Sequence, residues 1–202
     1  QYNTNDLWGD NLGDKSTNIT RVYFQNINGI IHHKSWNEWK EIADMLSRYK
    51  VDVAGLVETN MNWNPTNCAI AKSILRTRNQ HVVMTTAHSD DPTLNTYQPG
   101  GMSLVLQNNL ISAIDSTNSD ARGLGRWTYC ILNGRKNHKL VIITAYRLSH
   151  DSIPGDDTIY AQQCRLLRKQ NIDHPKPKKI FDVDLCKLLD QWFHKQHDIL
   201  LM

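Results

Sequence analysis

The stretch VDVAGLVETN, residues 51–60, limits what this chain can fold into more than any other. Val51, Val53, Ala54, Leu56 and Val57 form a near-continuous apolar run. Such a run, without alternation, suits a strand covered on both faces, as in a parallel sheet. Upstream, TRVYFQNI (20–27) reads as a strand rich in β-branched and aromatic residues. Between the two, SWNEWKEIADMLSRYK (35–50) reads as an amphipathic helix. Its apolar stripe is Trp36, Trp39, Ile42, Ala43, Leu46 and Tyr49, and Ser35 and Glu38 stand at capping-box spacing. Strand, helix and strand imply a right-handed βαβ unit with parallel neighbours. The carboxyl ends of both strands then share one edge, where ligands of open α/β sheets sit. Asn26, Asn28 and Glu58 are expected to meet there. Glu58 is either a solvated strand end or an aimed functional group.

The remaining pattern extends this unit. NPTNCAIAKSILRTR (64–78) reads as a helix and HVVMTTA (81–87) as a strand, followed by a proline-containing loop over 88–100. GMSLVLQ (101–107) and LISAIDS (110–116) are expected to pair as a hairpin around Asn108–Asn109. GRWTYCIL (125–132) and HKLVIITAY (138–146) form a second hairpin across the turn NGRKN. Gly123 and Gly125 read as tight-turn residues opening that strand. Residues 156–170 and 178–196 read as helices, and HDILLM (197–202) as the start of a further strand. Residues 1–19 form a polar lead-in, and 20–202 are expected to be a single domain.

Composition narrows the class. The 202 residues are 40% hydrophobic and 21% charged, enough for a globular core. The net charge of +3 permits an anionic partner without demanding one. Cys68, Cys130, Cys164 and Cys186 show no C-x-x-C spacing, which argues against a zinc site or a disulfide framework and for a reducing compartment. His32–His33 reads as an exposed loop pair. No apolar run is long enough to span a bilayer and the start has no apolar signal core, so the expected location is intracellular, in nucleus or cytoplasm. The first residue is Gln, and the natural N-terminus is expected upstream.

Tyr146 and Arg147 follow the strand LVIITA and join the set at the strand exits. Amide and carboxylate oxygens suit a hard divalent cation such as magnesium, which takes few protein ligands and keeps its waters. Tyr and Arg beside it suit a phosphate. These residue types point to metal-assisted phosphoester chemistry.

FQNINGI, VDVAGLVETN, GGMSLVL, GLGRWTYCIL and LVIITAYR stand in the order of the motifs of the endonuclease/exonuclease/phosphatase superfamily, and residues 20–202 resemble its N-terminal part. Within it they are most similar to the apurinic-endonuclease-like nucleases of non-LTR retrotransposons and related mobile elements. The resemblance implies a four-layer α/β sandwich of mixed β-sheets flanked by helices. It implies Glu58 as the ligand of Mg2+, or of Mn2+, with Asn28 near the metal. It implies Asn26 and Tyr146 as catalytic residues that shape the phosphate site. Arg126, after the glycines of GLGRW, and Arg147, beside Tyr146, are expected as phosphate contacts from residue type and place, although Arg147 departs from several relatives. DNA is the implied partner, with a reverse transcriptase in the same polyprotein. The family's later Asp-x-Asn and Asp-His pairs are not matched in these residues, so the fold is expected to be truncated before its C-terminal portion. On that expectation the stretch alone turns over poorly and self-associates through an exposed apolar face.

Two other readings stay open. One is a phosphatase or phospholipase of the same superfamily, because the fold does not choose the substrate. The other is a catalytically dead remnant that at most binds nucleic acid. Arg76, Arg78, Arg122, Arg126, Arg135, Lys136 and Lys139, in or near turns, suit salt-dependent contact with a DNA backbone.

Overall fold

The computed structural model describes residues 12–30, 35–91, 98–149 and 155–202. His32–His33, the first part of the lead-in and the middle of the 88–100 loop lie outside them. One sheet contains β1 (Val22–Asn26), β2 (Val53–Val57), β3 (Val82–Ala87) and β4 (Met102–Gln107), in the order β1–β2–β4–β3. The other contains β5 (Ile114–Ser119), β6 (Trp127–Asn133), β7 (Lys139–Ala145) and β8 (Asp198–Leu201), in that order. Each is mixed: β1–β2 and β7–β8 run parallel and the other pairs antiparallel. Helices α1 (Asn37–Arg48) and α2 (Pro65–Arg76) cover the first sheet, α4 (Pro177–Phe193) covers the second, and α3 (Ile159–Lys169) packs against α4 and Leu124. This is the four-layer α/β sandwich expected from the sequence.

The unbroken apolar run of β2 is explained by its place. Ala54 and Leu56 pack toward Trp39, Ala43 and Leu46 of α1. Val53 faces the other way, into a layer between the sheets with Leu104, Leu106, Cys130 and Ile142. Every residue of β2 is buried, as a central strand requires. Trp39 is a core residue, packed edge-on against Trp63 at 5.6 Å with its indole N–H on the Ala71 carbonyl. Phe181 and Leu185 of α4 close over Trp127, Ile131, Val141 and Ile143. All four cysteines are free. No helix among the described residues is long and apolar enough to cross a membrane.

Two local expectations are corrected. Ser35 does not cap α1: Ser35 (φ 69°) and Trp36 (φ 59°) are both left-handed, the helix starts at Asn37, and no side chain caps it. Segments 101–107 and 110–116 do not pair as a hairpin. β4 is buried along its length and needs a strand on each side, which β2 and β3 supply. Asn108 is held by hydrogen bonds with Asp52 (3.0 Å) and Asn79 (2.8 Å), and a 3-10 segment, Asn108–Ala113, carries the chain across to the second sheet. The hairpin of β6 and β7 forms as read.

The sheets meet without room for a side chain at Gly55. A Cβ there would lie 2.7 Å from Thr144 Oγ1, 3.0 Å from Met202 Cε and 3.1 Å from Phe24 Cδ2. Beside this contact Val22, Phe24 and Leu201, on edge strands β1 and β8, are exposed. Gly55→Val should force the sheets apart and cost about 1–3 kcal/mol, read as a lower urea midpoint with an unchanged slope. An unchanged midpoint would show that the contact is slack.

Candidate functional site

The exits of β1 and β2 run side by side past the last strand residues. The N–H groups of Ile27, Gly29 and Ile30 donate to the carbonyls of Val57, Glu58 and Thr59. This continued ladder brings Asn26 against Glu58, and Asn26 Nδ2 donates to Glu58 Oε2 at 2.7 Å. The other end of the Asn26 amide accepts the Asn28 N–H at 3.0 Å, which shapes the left-handed turn at Asn28. Asn26 therefore orients the carboxylate and fixes the turn, while Asn28 is exposed at the same rim.

Tyr146 reaches the site from the second sheet. Its N–H donates to the Arg126 carbonyl as β6 and β7 end, and its hydroxyl hydrogen-bonds Glu58. Burial, then the Glu58 carboxylate as acceptor and as charge, push the Tyr146 pKa well above its ordinary value, against an opposing hydrogen bond from Ser149. These causes favour the protonated phenol over the phenolate. One carboxylate is held by two donors, one from each sheet.

The backbone marks the same spot. Glu58 is left-handed (φ 51°), a conformation uncommon outside glycine, Asn and Asp. Strain of this kind costs on the order of 1–3 kcal/mol and clusters at functional sites. Asn60 (φ 50°) ties the neighbouring loops together, accepting from the Gly100 N–H at 2.9 Å while its own N–H donates to the Gly100 carbonyl at 2.6 Å. Asn60 and Ser149 belong to the site although the sequence singled out neither. Asn60 lies in the quoted VETN stretch, but its role depends on a loop some forty residues away.

Among the described residues no group of three or more His, Cys, Asp and Glu side chains is placed to hold a metal. The rim offers one oriented carboxylate and neighbouring amides. That donor set fits Mg2+, which is held by one or two carboxylates and keeps several waters, better than it fits a tightly caged ion. Glu58 is the residue that would hold it. The Asn26 amide is engaged with Glu58 and the Asn28 backbone.

Arg126 and Arg147 stand apart from this trio. Arg126 is 1% exposed, donates to both Asp120 oxygens (2.6 and 2.9 Å) and to Asp184 (2.9 Å), and lies 4.2 Å over the Trp127 ring. Its charge locks the turn before β6 to α4, so the geometry gives the expected phosphate contact no support. Burial raises the Asp184 pKa, but hydrogen bonds from Arg122 and Arg126 outweigh it and hold the carboxyl below its usual range. Arg147 is exposed and forms a bidentate pair with Asp182 (2.6 and 2.8 Å). Other turn cations are also paired: Arg78 with Asp44, Arg122 with Asp184 and Lys139 with Asp115. The His138–Asp198 pair joins the starts of β7 and β8, at the opposite end from Glu58.

No family model matches this sequence, and no curated protein matches it. Solved structures of similar fold include an endonuclease/exonuclease/phosphatase family protein from Leptotrichia buccalis C-1013-b, at 9% identity and TM-score 0.46, covering 77% of this chain and 65% of that one. Humanized D. rerio TDP2 aligns at 13% identity and TM-score 0.43, covering 75% and 57%. The endonuclease/exonuclease/phosphatase from Bacteroides vulgatus aligns at 12% identity and TM-score 0.39, covering 73% and 57%. The chain spans less than two thirds of each of these structures.

The buried and exposed arginine pairs should separate in stability. Asp120→Ala leaves a buried guanidinium short of a partner and should cost about 3–5 kcal/mol. Asp182→Ala cuts an exposed pair and should cost about 1 kcal/mol or less. Equal losses in urea denaturation would show that Arg126 is not the structural cation its burial implies.

Proposed function

We propose that this chain supplies the metal-anchoring and phosphate-positioning groups of a magnesium-dependent phosphodiesterase acting on DNA, of the mobile-element endonuclease type. The observation that carries this reading is the Glu58 carboxylate, strained in backbone and held by Asn26 from one side and Tyr146 from the other. A solvated strand-end glutamate needs neither the strain nor two donors from separate sheets.

The roles follow from the contacts. Glu58 would hold Mg2+, or Mn2+ in its place, which supplies positive charge to a phosphoryl oxygen and makes a bound water more acidic. Asn26 keeps the Glu58 carboxylate in one orientation, as groups behind a metal ligand do. The single Tyr146 hydroxyl hydrogen, shared with Glu58 in this structure, would turn to the phosphate as charge develops there. Asn28 is a further polar contact on the same rim. A DNA phosphodiester is preferred over a phosphomonoester or phospholipid because Arg147, Arg168, Lys176, Lys178 and Lys179 gather in a cavity that begins one residue after Tyr146 and suit further backbone phosphates.

The test is nicking of supercoiled plasmid by the full-length protein in millimolar Mg2+. Glu58→Gln and Tyr146→Phe should each lower the rate about 10²–10³-fold, and Asn26→Ala about 10–100-fold. Magnesium-dependent nicking that survives Glu58→Gln would reject the anchoring role. Absence of nicking by the wild-type protein would favour a nucleic-acid-binding protein without turnover.

A further inference from the structure

Beside the rim lies a cavity that the Glu58 site does not use. It sits between the end of α3 and the start of α4 and holds about 670 Å³, a volume typical of ligand pockets. Five cationic side chains line it, Arg147, Arg168, Lys176, Lys178 and Lys179, against the two carboxylates of Asp173 and Asp182. The balance of this one cavity, five minus two, equals the +3 of the whole chain. Arg147 is committed to Asp182. Arg168, Lys176 and Lys179 are exposed, and none of them is salt-bridged to a carboxylate among the described residues. α4 begins in the cavity wall at Pro177 without a side-chain cap, so the positive end of its dipole adds to the field.

The cavity is joined to the site by short contacts. Lys178 Nζ donates to the Ser149 carbonyl at 3.4 Å, and Ser149 hydrogen-bonds Tyr146, which hydrogen-bonds Glu58. Arg147, in the cavity wall, is the residue after Tyr146. A ligand filling both places must carry separate negative charges on one continuous frame.

We propose that this cavity holds a second phosphate of the same nucleic-acid strand whose scissile phosphate lies at Glu58 and Tyr146. The assignment rests on the phosphodiesterase reading above and selects a polynucleotide as its substrate, because a phosphate monoester has no second phosphate group to place. Lysines act here as point charges on flexible stems, so the cavity reads backbone charge rather than base identity. A small diester such as bis-p-nitrophenyl phosphate reaches only the rim.

The experiment compares wild type with Arg168→Ala/Lys176→Ala/Lys179→Ala, and with Lys176→Glu/Lys179→Glu as a second variant. These residues are exposed, so circular dichroism and melting temperature should be unchanged. Binding of a short fluorescein-labelled single-stranded DNA is followed by anisotropy across a sodium chloride series. Losing the one phosphate that the cavity holds should lower the slope of log affinity on log salt by about 0.7. Turnover of bis-p-nitrophenyl phosphate should stay at the wild-type rate. An unchanged slope overturns the cavity assignment and leaves the Glu58 reading standing. A reduced slope in a protein that never cleaves supports the cavity and removes the phosphodiesterase reading. Binding to phosphatidylserine vesicles in place of DNA, lost in the same variants, overturns the strand assignment in favour of a lipid surface.

Discussion

The contact between the two sheets at Gly55 sets the geometry of everything at the rim. Without a side chain there, β2 lies close against Thr144 of β7. Three residues on from Gly55 is Glu58, and two on from Thr144 is Tyr146. The close packing of the layers is therefore what allows a carboxylate on one sheet and a hydroxyl on the other to share a hydrogen bond. Parallel pairing of β1 with β2 supplies the third partner, because it puts Asn26 at the same end as Glu58. A wider gap between the sheets would leave Tyr146 apart from the Asn26–Glu58 pair.

That arrangement has an energetic cost, carried at Glu58. A left-handed glutamate is strained, and the strain persists only because the chain on both sides is fixed. The ladder from Ile27 to Ile30 fixes one side, and the Asn60–Gly100 contacts fix the other. At the far end of the same strands, Asp52 accepts from Lys15, the Arg21 N–H and Asn108, which ties the start of β2 to the lead-in and to the end of β4. Burial raises the Asp52 pKa, but those donors outweigh it and the net shift is downward. This tie is therefore full above the ordinary carboxylate pKa and lost as pH falls below it.

Much of this was legible in the sequence, for identifiable reasons. The βαβ unit and its shared edge follow from hydrophobic period, which depends on burial and little else. The partition of the later strands did not follow, because period does not say which strand a segment pairs with. Asn108 looked like half of an Asn–Asn turn, and only its contacts with Asp52 and Asn79 show why the chain crosses between sheets instead. Arg126 looked like a phosphate contact because it follows a glycine turn. Its partners, Asp120 and Asp184, lie six and fifty-eight residues away, and no local pattern announces the second. The basic cavity was half visible, since its lysines stand in a run broken by prolines, but their facing required the packing of α3 against α4.

The central claim is that the Glu58 carboxylate anchors a divalent cation. It is tested most directly by titrating Mn2+ into the protein and following the free ion by electron paramagnetic resonance, without substrate. Wild type should remove Mn2+ from the free signal at one site, and Mg2+ should compete for it. Glu58→Asn, which keeps a residue tolerant of the left-handed backbone and removes the charge, should fold normally and lose that site. Binding unchanged in the folded Glu58→Asn protein would contradict the claim and leave Glu58 as a strand-end carboxylate.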